Sequence, residues 1–207
     1  MNNSLLKLYK AGGIQRIYQE IGNFIFDLYN NVETRKRVNN DSYDEIFDYM
    51  PSYKKSVSNP LKFIQNSEVK LEEYSFIDIG CGKGKVLLIA SKYNFKNLIG
   101  YEINETIFSI LNKNINSLQI KNLMIKNESI DVEKIQNKSI VYFYNPFSEN
   151  MTNSFFEKLS TNKNLKNLII IYVNPQYLNI LNKYNWKKVY QKKVSTQKLN
   201  IWIKHEQ

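Results

Sequence analysis

Ser75-Phe76-Ile77-Asp78-Ile79-Gly80-Cys81-Gly82-Lys83-Gly84 constrains this chain more than any other stretch. An apolar run carrying one acid, Asp78, enters three alternate glycines, and Val86-Leu87-Leu88-Ile89-Ala90 follows at once. Strand, glycine turn, helix is how an α/β domain brings its backbone against a nucleotide-like ligand. Glycine serves there because a Cβ would hold the ligand off the turn, and because such turns often need positive φ. The spacing then discriminates among ligands. A dinucleotide loop wants Gly-x-Gly-x-x-Gly, whereas position 85 is Lys and the third glycine comes one residue early. That disfavours a nicotinamide dehydrogenase. An acid at the turn would also repel pyrophosphate, and it suits a ligand that carries positive charge.

Two further runs carry chemistry. Leu98-Ile99-Gly100-Tyr101-Glu102-Ile103 is apolar and ends in an acid. In nucleoside-binding α/β folds an acid about 20 residues past the glycine loop takes the ribose hydroxyls, because a carboxylate accepts two hydrogen bonds from a diol. Ile140-Val141-Tyr142-Phe143-Tyr144-Asn145-Pro146-Phe147 reads as a buried strand ending in Asn-Pro-Phe. There an amide oxygen and a backbone carbonyl accept hydrogen bonds from a substrate NH₂ and aim its lone pair. Pro146 sets the carbonyl direction, and Phe147 stacks on a planar or cationic group.

The segment from Asp78 to Gly84 resembles the first motif of class I S-adenosylmethionine-dependent methyltransferases, whose cofactor is a cationic sulfonium with an amino-acid tail and no phosphate. Glu102, followed by Ile103, resembles the second motif. In the third, the family often ends a strand in Gly-Asp-Ala, the acid holding the adenine amino group. Asn127-Glu128-Ser129 departs at every position but keeps an acid in the middle. Asn145-Pro146-Phe147 resembles the fourth motif, Asn/Asp-Pro-Pro-aromatic in amino-group methyltransferases. The missing second proline weakens any transfer of specificity for nucleic-acid adenine. The resemblance implies S-adenosylmethionine as cofactor, held by Asp78, Gly80, Cys81, Gly82, Gly84, Glu102, Ile103, Glu128, Ser129 and Asn145. It implies catalytic positions at Asn145, Pro146 and Phe147. A narrower likeness is to a bacterial group of these enzymes in which a helical region precedes the glycine motif. Its fourth and fifth strands end in Asn-Pro-Phe and Val-Asn-Pro, here Asn145-Pro146-Phe147 and Val173-Asn174-Pro175. That group tends to carry Tyr-x-Pro-Ser/Thr ahead of the sheet. Tyr53-Lys54-Lys55-Ser56 fits without the proline, so Tyr53, Ser56 and Asn174 become candidate substrate-side residues.

From Glu72 onward, strand and helix patterns alternate. Strands are expected at 75–79, 97–102, 122–127, 139–145 and 167–174, and helices at 84–93, 104–117, 149–160 and 176–184. Such alternation implies a parallel sheet. Lys187–Lys193 and Leu199–Ile203 read as two closing strands. With the resemblance, the expected fold is α/β: a Rossmann-like seven-stranded methyltransferase sheet, mostly parallel with an antiparallel closing hairpin. Ahead of it, Ile14, Ile17, Tyr18, Ile21, Phe24, Ile25 and Leu28 recur at helical spacing and predict an amphipathic helix. Tyr43, Ile46, Phe47 and Met50 suggest a short helix ended by Pro51, and Pro60 stands where another would begin. Residues 1–66 are expected to form a helical cap, and residues 67–207 the cofactor-binding domain.

Composition narrows the chemistry. The chain has one Cys, Cys81, and one His, His205. A His-based metal site or triad is thereby disfavoured, and the lone Cys fits a reducing cytoplasm. No apolar run nears the about 18 residues that span a bilayer. The net charge of +10 is spread over small clusters such as Lys187-Lys188 and Lys192-Lys193. It leaves RNA or DNA as an alternative acceptor to an amino nitrogen of a protein lysine, sugar or small molecule. A non-catalytic cofactor-binding subunit is a third reading.

Overall fold

The computed structural model describes residues 3–36, 51–116, 118 and 120–204. The short helix expected around Tyr43, Ile46, Phe47 and Met50 lies outside the described residues, as does His205.

The strands are β1 Ser75–Ile79, β2 Asn97–Tyr101, β3 Leu123–Lys126, β4 Ser139–Phe143, β5 Leu168–Val173, β6 Trp186–Val194 and β7 Gln197–Lys204. They form one seven-stranded sheet in the order β3-β2-β1-β4-β5-β7-β6. The first five pair in parallel, and β7 runs antiparallel to both β5 and β6. This is the expected mixed sheet with its antiparallel closing hairpin. The chain moves outward one way from β1 to β3 and the other way from β4, so the crevice at the ends of β1 and β4 is the place where such a sheet binds ligands.

Every residue of β1, β4 and β5 is buried. Strands covered on both faces read as unbroken apolar runs. Alternate side chains feed two cores. Phe76, Ile140, Tyr142 and Ile171 pack with α2 (Lys54–Asn66) and α3 (Lys85–Ala90) on one face. Ile77, Val141, Phe143 and Tyr172 pack with α5 (Glu149–Thr161) and α6 (Leu178–Lys183) on the other. Phe143 centres the second core, with ring centroids 4.8 Å from Tyr172, 5.3 Å from Phe147 and 5.6 Å from Phe155. On the outermost strand, Lys187, Lys188, Lys192 and Lys193 stand exposed, charges that discourage further strand pairing.

Two helices differ from the sequence reading. α2 starts at Lys54, so Pro60 sits inside it rather than at its first turn. The ring supplies no N–H to the carbonyl of Ser56. Burial of Val57, Pro60, Leu61 and Ile64 against the sheet holds the helix in spite of that. α1 (Asn3–Asn30) forms as expected, but its apolar stripe faces outward. Ile14, Tyr18, Ile21, Phe24, Ile25 and Leu28 are exposed, while Asn23, Phe26 and Asp27 are buried. The reason is polar. Lys85 Nζ donates to Asn23 Oδ1, and Asp27 Oδ2 accepts from the backbone N–H of Thr34 at 2.9 Å.

Candidate functional site

The glycine loop leaves β1 through Gly80, Gly82 and Gly84, all at positive φ. The N–H groups of Gly80 and Cys81 both donate to the Tyr101 carbonyl at 2.9 Å, which ties the turn to the end of β2. Gly84 caps α3 at φ 88°, and a Cβ there would stand 2.6 Å from Leu111 Cδ1 in α4 (Glu105–Asn116). A Cβ on Gly80 would meet Pro146 Cβ at 3.0 Å, so the first and fourth motifs touch across the crevice.

A cavity of about 290 Å³ opens at this crevice, near the lower end of small-molecule sites. Its wall gathers Asp78, Gly80, Cys81, Glu102 and Ile103 from the first two motifs. Glu128 and Ser129 come from the loop after β3, and Asn145, Pro146, Phe147 and Asn174 from the ends of β4 and β5. Gly82 and Gly84 stand behind that wall, shaping the turn. Tyr53 and Ser56 are also set back. Tyr53 is buried, its hydroxyl accepting from Arg16 and its N–H donating to Gln197 Oε1 at 3.4 Å. Pro51 and Ser52, immediately before it, line the cavity instead.

The acids differ sharply in surroundings. Glu102 is buried, yet both carboxylate oxygens accept backbone hydrogen bonds, from Gly82 N–H at 3.0 Å and from Asn104 N–H at 2.9 Å. Burial raises its pKa and these N–H groups oppose the rise. Each oxygen retains lone-pair capacity toward the cavity. Asp78 is fully enclosed, and its Oδ2 has no hydrogen-bond partner among the described residues. Burial, with the Glu102 charge beside it, pushes its pKa well above the usual carboxylate range. A buried acceptor of this kind is costly unless something satisfies it. Glu128 is exposed and paired with Lys134 at 3.3 Å.

The opposite wall is organised by Asn145. Its φ is +43°, its Nδ2 donates to the Asn174 carbonyl at 2.5 Å, and its buried Oδ1 has no partner among the described residues. Asn174, also left-handed at φ 48°, donates through Nδ2 to Tyr144 Oη at 3.1 Å. The two strand ends thus fix the Asn145 amide plane and leave its oxygen as a preset acceptor. Phe147 is held from behind by Phe143 and Phe155.

Other lining residues carry no local signal in the sequence. Ser52 Oγ and Tyr142 Oη lie 2.9 Å apart, joining residues 90 positions distant. Tyr142 reads simply as one more apolar strand residue. In the sequence Lys85 marks only the place of the missing dinucleotide glycine. It lines the cavity, and burial lowers its pKa to about 8.

The family model described as "Conserved hypothetical protein 95" matches residues 50–203. The chain belongs to this family. No curated protein matches it. Among solved structures, it is similar to the putative methyltransferase yhhF from Escherichia coli at 14% identity and TM-score 0.58, over 83% of this chain and 100% of that one. The magnesium protoporphyrin IX methyltransferase from Synechocystis PCC 6803, solved with bound S-adenosylmethionine, matches at 10% identity and TM-score 0.58, over 73% and 79%. A ribosomal protein L11 methylase from Lactobacillus delbrueckii subsp. bulgaricus matches at 15% identity and TM-score 0.54, over 73% and 80%. This family member therefore has the fold of S-adenosylmethionine-dependent methyltransferases. Among the described residues no helix is long and apolar enough to cross a membrane.

Proposed function

We propose that this chain transfers the methyl group of S-adenosylmethionine to an amino nitrogen, with residues 67–207 as the transferase domain and 1–66 as its cap. One observation carries the reading. On one side of the cavity stands an unsatisfied buried acid, Asp78, and on the other an unsatisfied buried amide oxygen, Asn145 Oδ1. The first suits the cationic end of the cofactor. The second suits the N–H of an acceptor.

The residues fit the cofactor. Asp78, beside the glycine turn, would meet its positive charge. Glu102 would accept from the ribose diol, and Glu128 or Ser129, which line the cavity from the loop after β3, would hold the adenine. The bound cofactor supplies an electrophilic methyl group, so no strong nucleophile is required of the protein. Asn145 Oδ1 and the Pro146 carbonyl would orient the amine, and Phe147 would wall its flat face. With both substrates bound, the cavity wall would limit the access of water to the transferred methyl. An ammonium acceptor must first lose a proton.

The likeness of Asn145-Pro146-Phe147 to the fourth motif of amino-group methyltransferases supports an amine over a hydroxyl. A protein lysine, sugar or small molecule is the first class of acceptor. A second reading, RNA or DNA, is favoured by one feature. Lys192, Lys193 and Lys198 are exposed on the closing hairpin at the end of the sheet where β5 reaches the cavity. The two separate by transfer of labelled methyl from S-adenosylmethionine in fractionated lysate. Label in protein or small molecules supports the first. Label in nucleic acid, with binding that falls steeply as salt rises, supports the second. No transfer to any fraction would leave the non-catalytic subunit.

A further inference from the structure

We propose that two copies of this chain associate through the outward face of α1. The helix is inverted relative to an ordinary surface helix. Its polar residues turn toward the rest of the chain and are bonded there: Arg16 donates to the Tyr53 hydroxyl, Asn23 accepts from Lys85, and Asp27 accepts from Thr34 and Arg35 backbone N–H groups. Its apolar residues turn to solvent.

The spacing of the outward residues specifies what covers them. Ile14, Tyr18, Ile21, Ile25 and Leu28 follow one another at intervals of four, three, four and three. That is the alternation of a two-helix seam, in which an apolar residue recurs every 3.5 positions on average. Phe24 and Tyr29 flank it. Their exposures run from 47% for Phe24 to 84% for Tyr29. Together these seven side chains present on the order of 800 Å², at roughly 200 Å² for a whole aromatic side chain. A monomer rarely leaves more than a few hundred Å² of contiguous apolar surface uncovered. The area equals what each partner contributes to an interface of standard size, about 800 Å².

Charge selects a second copy over other occupants. Within Ile14–Tyr29 the seam and its flanking positions carry no charged side chain. Along the seam positions two identical copies therefore meet without like-charge contact, and the nearest described cation at the edge of the face, Arg35, lies 4.7 Å over the flanking Phe24 ring. A helix lying on an anionic membrane would carry a rim of lysines and arginines along the whole of its apolar face; here Arg16 is turned inward to Glu20 and Tyr53, and Arg35 reaches only the flanking Phe24. An added Cβ on Gly22 would meet nothing within 4 Å, so the middle of the face is open to close approach. Because the same patch serves both copies, the contact is isologous and closes as a dimer.

Light scattering on the full chain, eluted from a sizing column across the micromolar range, reads this directly. The expected mass is twice 24.5 kDa. Ile21→Glu and Ile25→Glu, both at exposed positions, should elute at the single mass with the parent's circular dichroism. Ile21→Cys should form a covalent dimer on oxidation, since the native Cys81 is buried. A parent that runs as a monomer throughout overturns the proposal, whether α1 is covered from within the chain or binds anionic vesicles instead. A dimer that survives Ile21→Glu overturns it equally.

Discussion

Asn145→Ala is expected to bind S-adenosylmethionine almost as the parent does and to transfer methyl about a hundredfold more slowly, the scale of a reacting group misplaced by about 1 Å. The basis is the preset amide. Nδ2 is bound to the Asn174 carbonyl at 2.5 Å, so Oδ1 is aimed before any acceptor arrives. An interaction used only to align the acceptor should lower turnover and leave cofactor affinity alone. Backbone strain needs a control, because residue 145 has φ +43° and alanine is less comfortable there than asparagine. Asn145→Gly removes the same amide without that strain. Both substitutions should therefore lose transfer to a similar degree, measured with the acceptor found by label transfer. Recovery of transfer in Asn145→Gly would make residue 145 a turn element and nothing more.

Glu102→Ala is expected to weaken the cofactor by about 1.5–3 kcal/mol, the range for hydrogen bonds to a charged group. That is about tenfold to a hundredfold in Kd. Two losses combine. The ribose hydroxyls lose their acceptor, and the N–H groups of Gly82 and Asn104 lose theirs, at 3.0 and 2.9 Å. Glu102→Gln keeps one carbonyl oxygen and should lose less. Titration calorimetry of the three proteins reads the order directly, and a Kd for Glu102→Ala equal to the parent's would remove Glu102 from the binding site.

The sheet was legible because its strands are short, apolar and separated by helical periods. Burial on both faces makes β1, β4 and β5 continuous hydrophobic runs, which a sequence displays openly. The glycine turn was legible because positive φ and close approach demand glycine at 80 and 84, and few residue types can stand there. Other features depend on contacts far apart in the chain. Ser52 reaches the cavity because α2 packs on the sheet and brings its preceding turn beside Tyr142. Nothing local to Pro51-Ser52-Tyr53 marks which of the three faces inward, and the likeness pointed to Tyr53. For α1, periodicity announces the helix but not its orientation. The buried bonds of Asn23 and Asp27 turn the polar side inward, against the usual rule that the apolar stripe faces the core. Pro60 suggests a helix start through its preference for the first turn, a local tendency that packing of Val57, Leu61 and Ile64 overrides.

Calorimetric titration of S-adenosylmethionine into the unmodified chain bears most directly on the proposed cofactor site. One site per chain is expected. Where Asp78 is protonated beforehand, a cation bound against it favours the ionised carboxylate, so binding should release a proton and its heat should vary with the ionisation enthalpy of the buffer. Nicotinamide dinucleotides should give no heat. An absence of S-adenosylmethionine binding, or binding of a nicotinamide dinucleotide in its place, would contradict the assignment of this cleft.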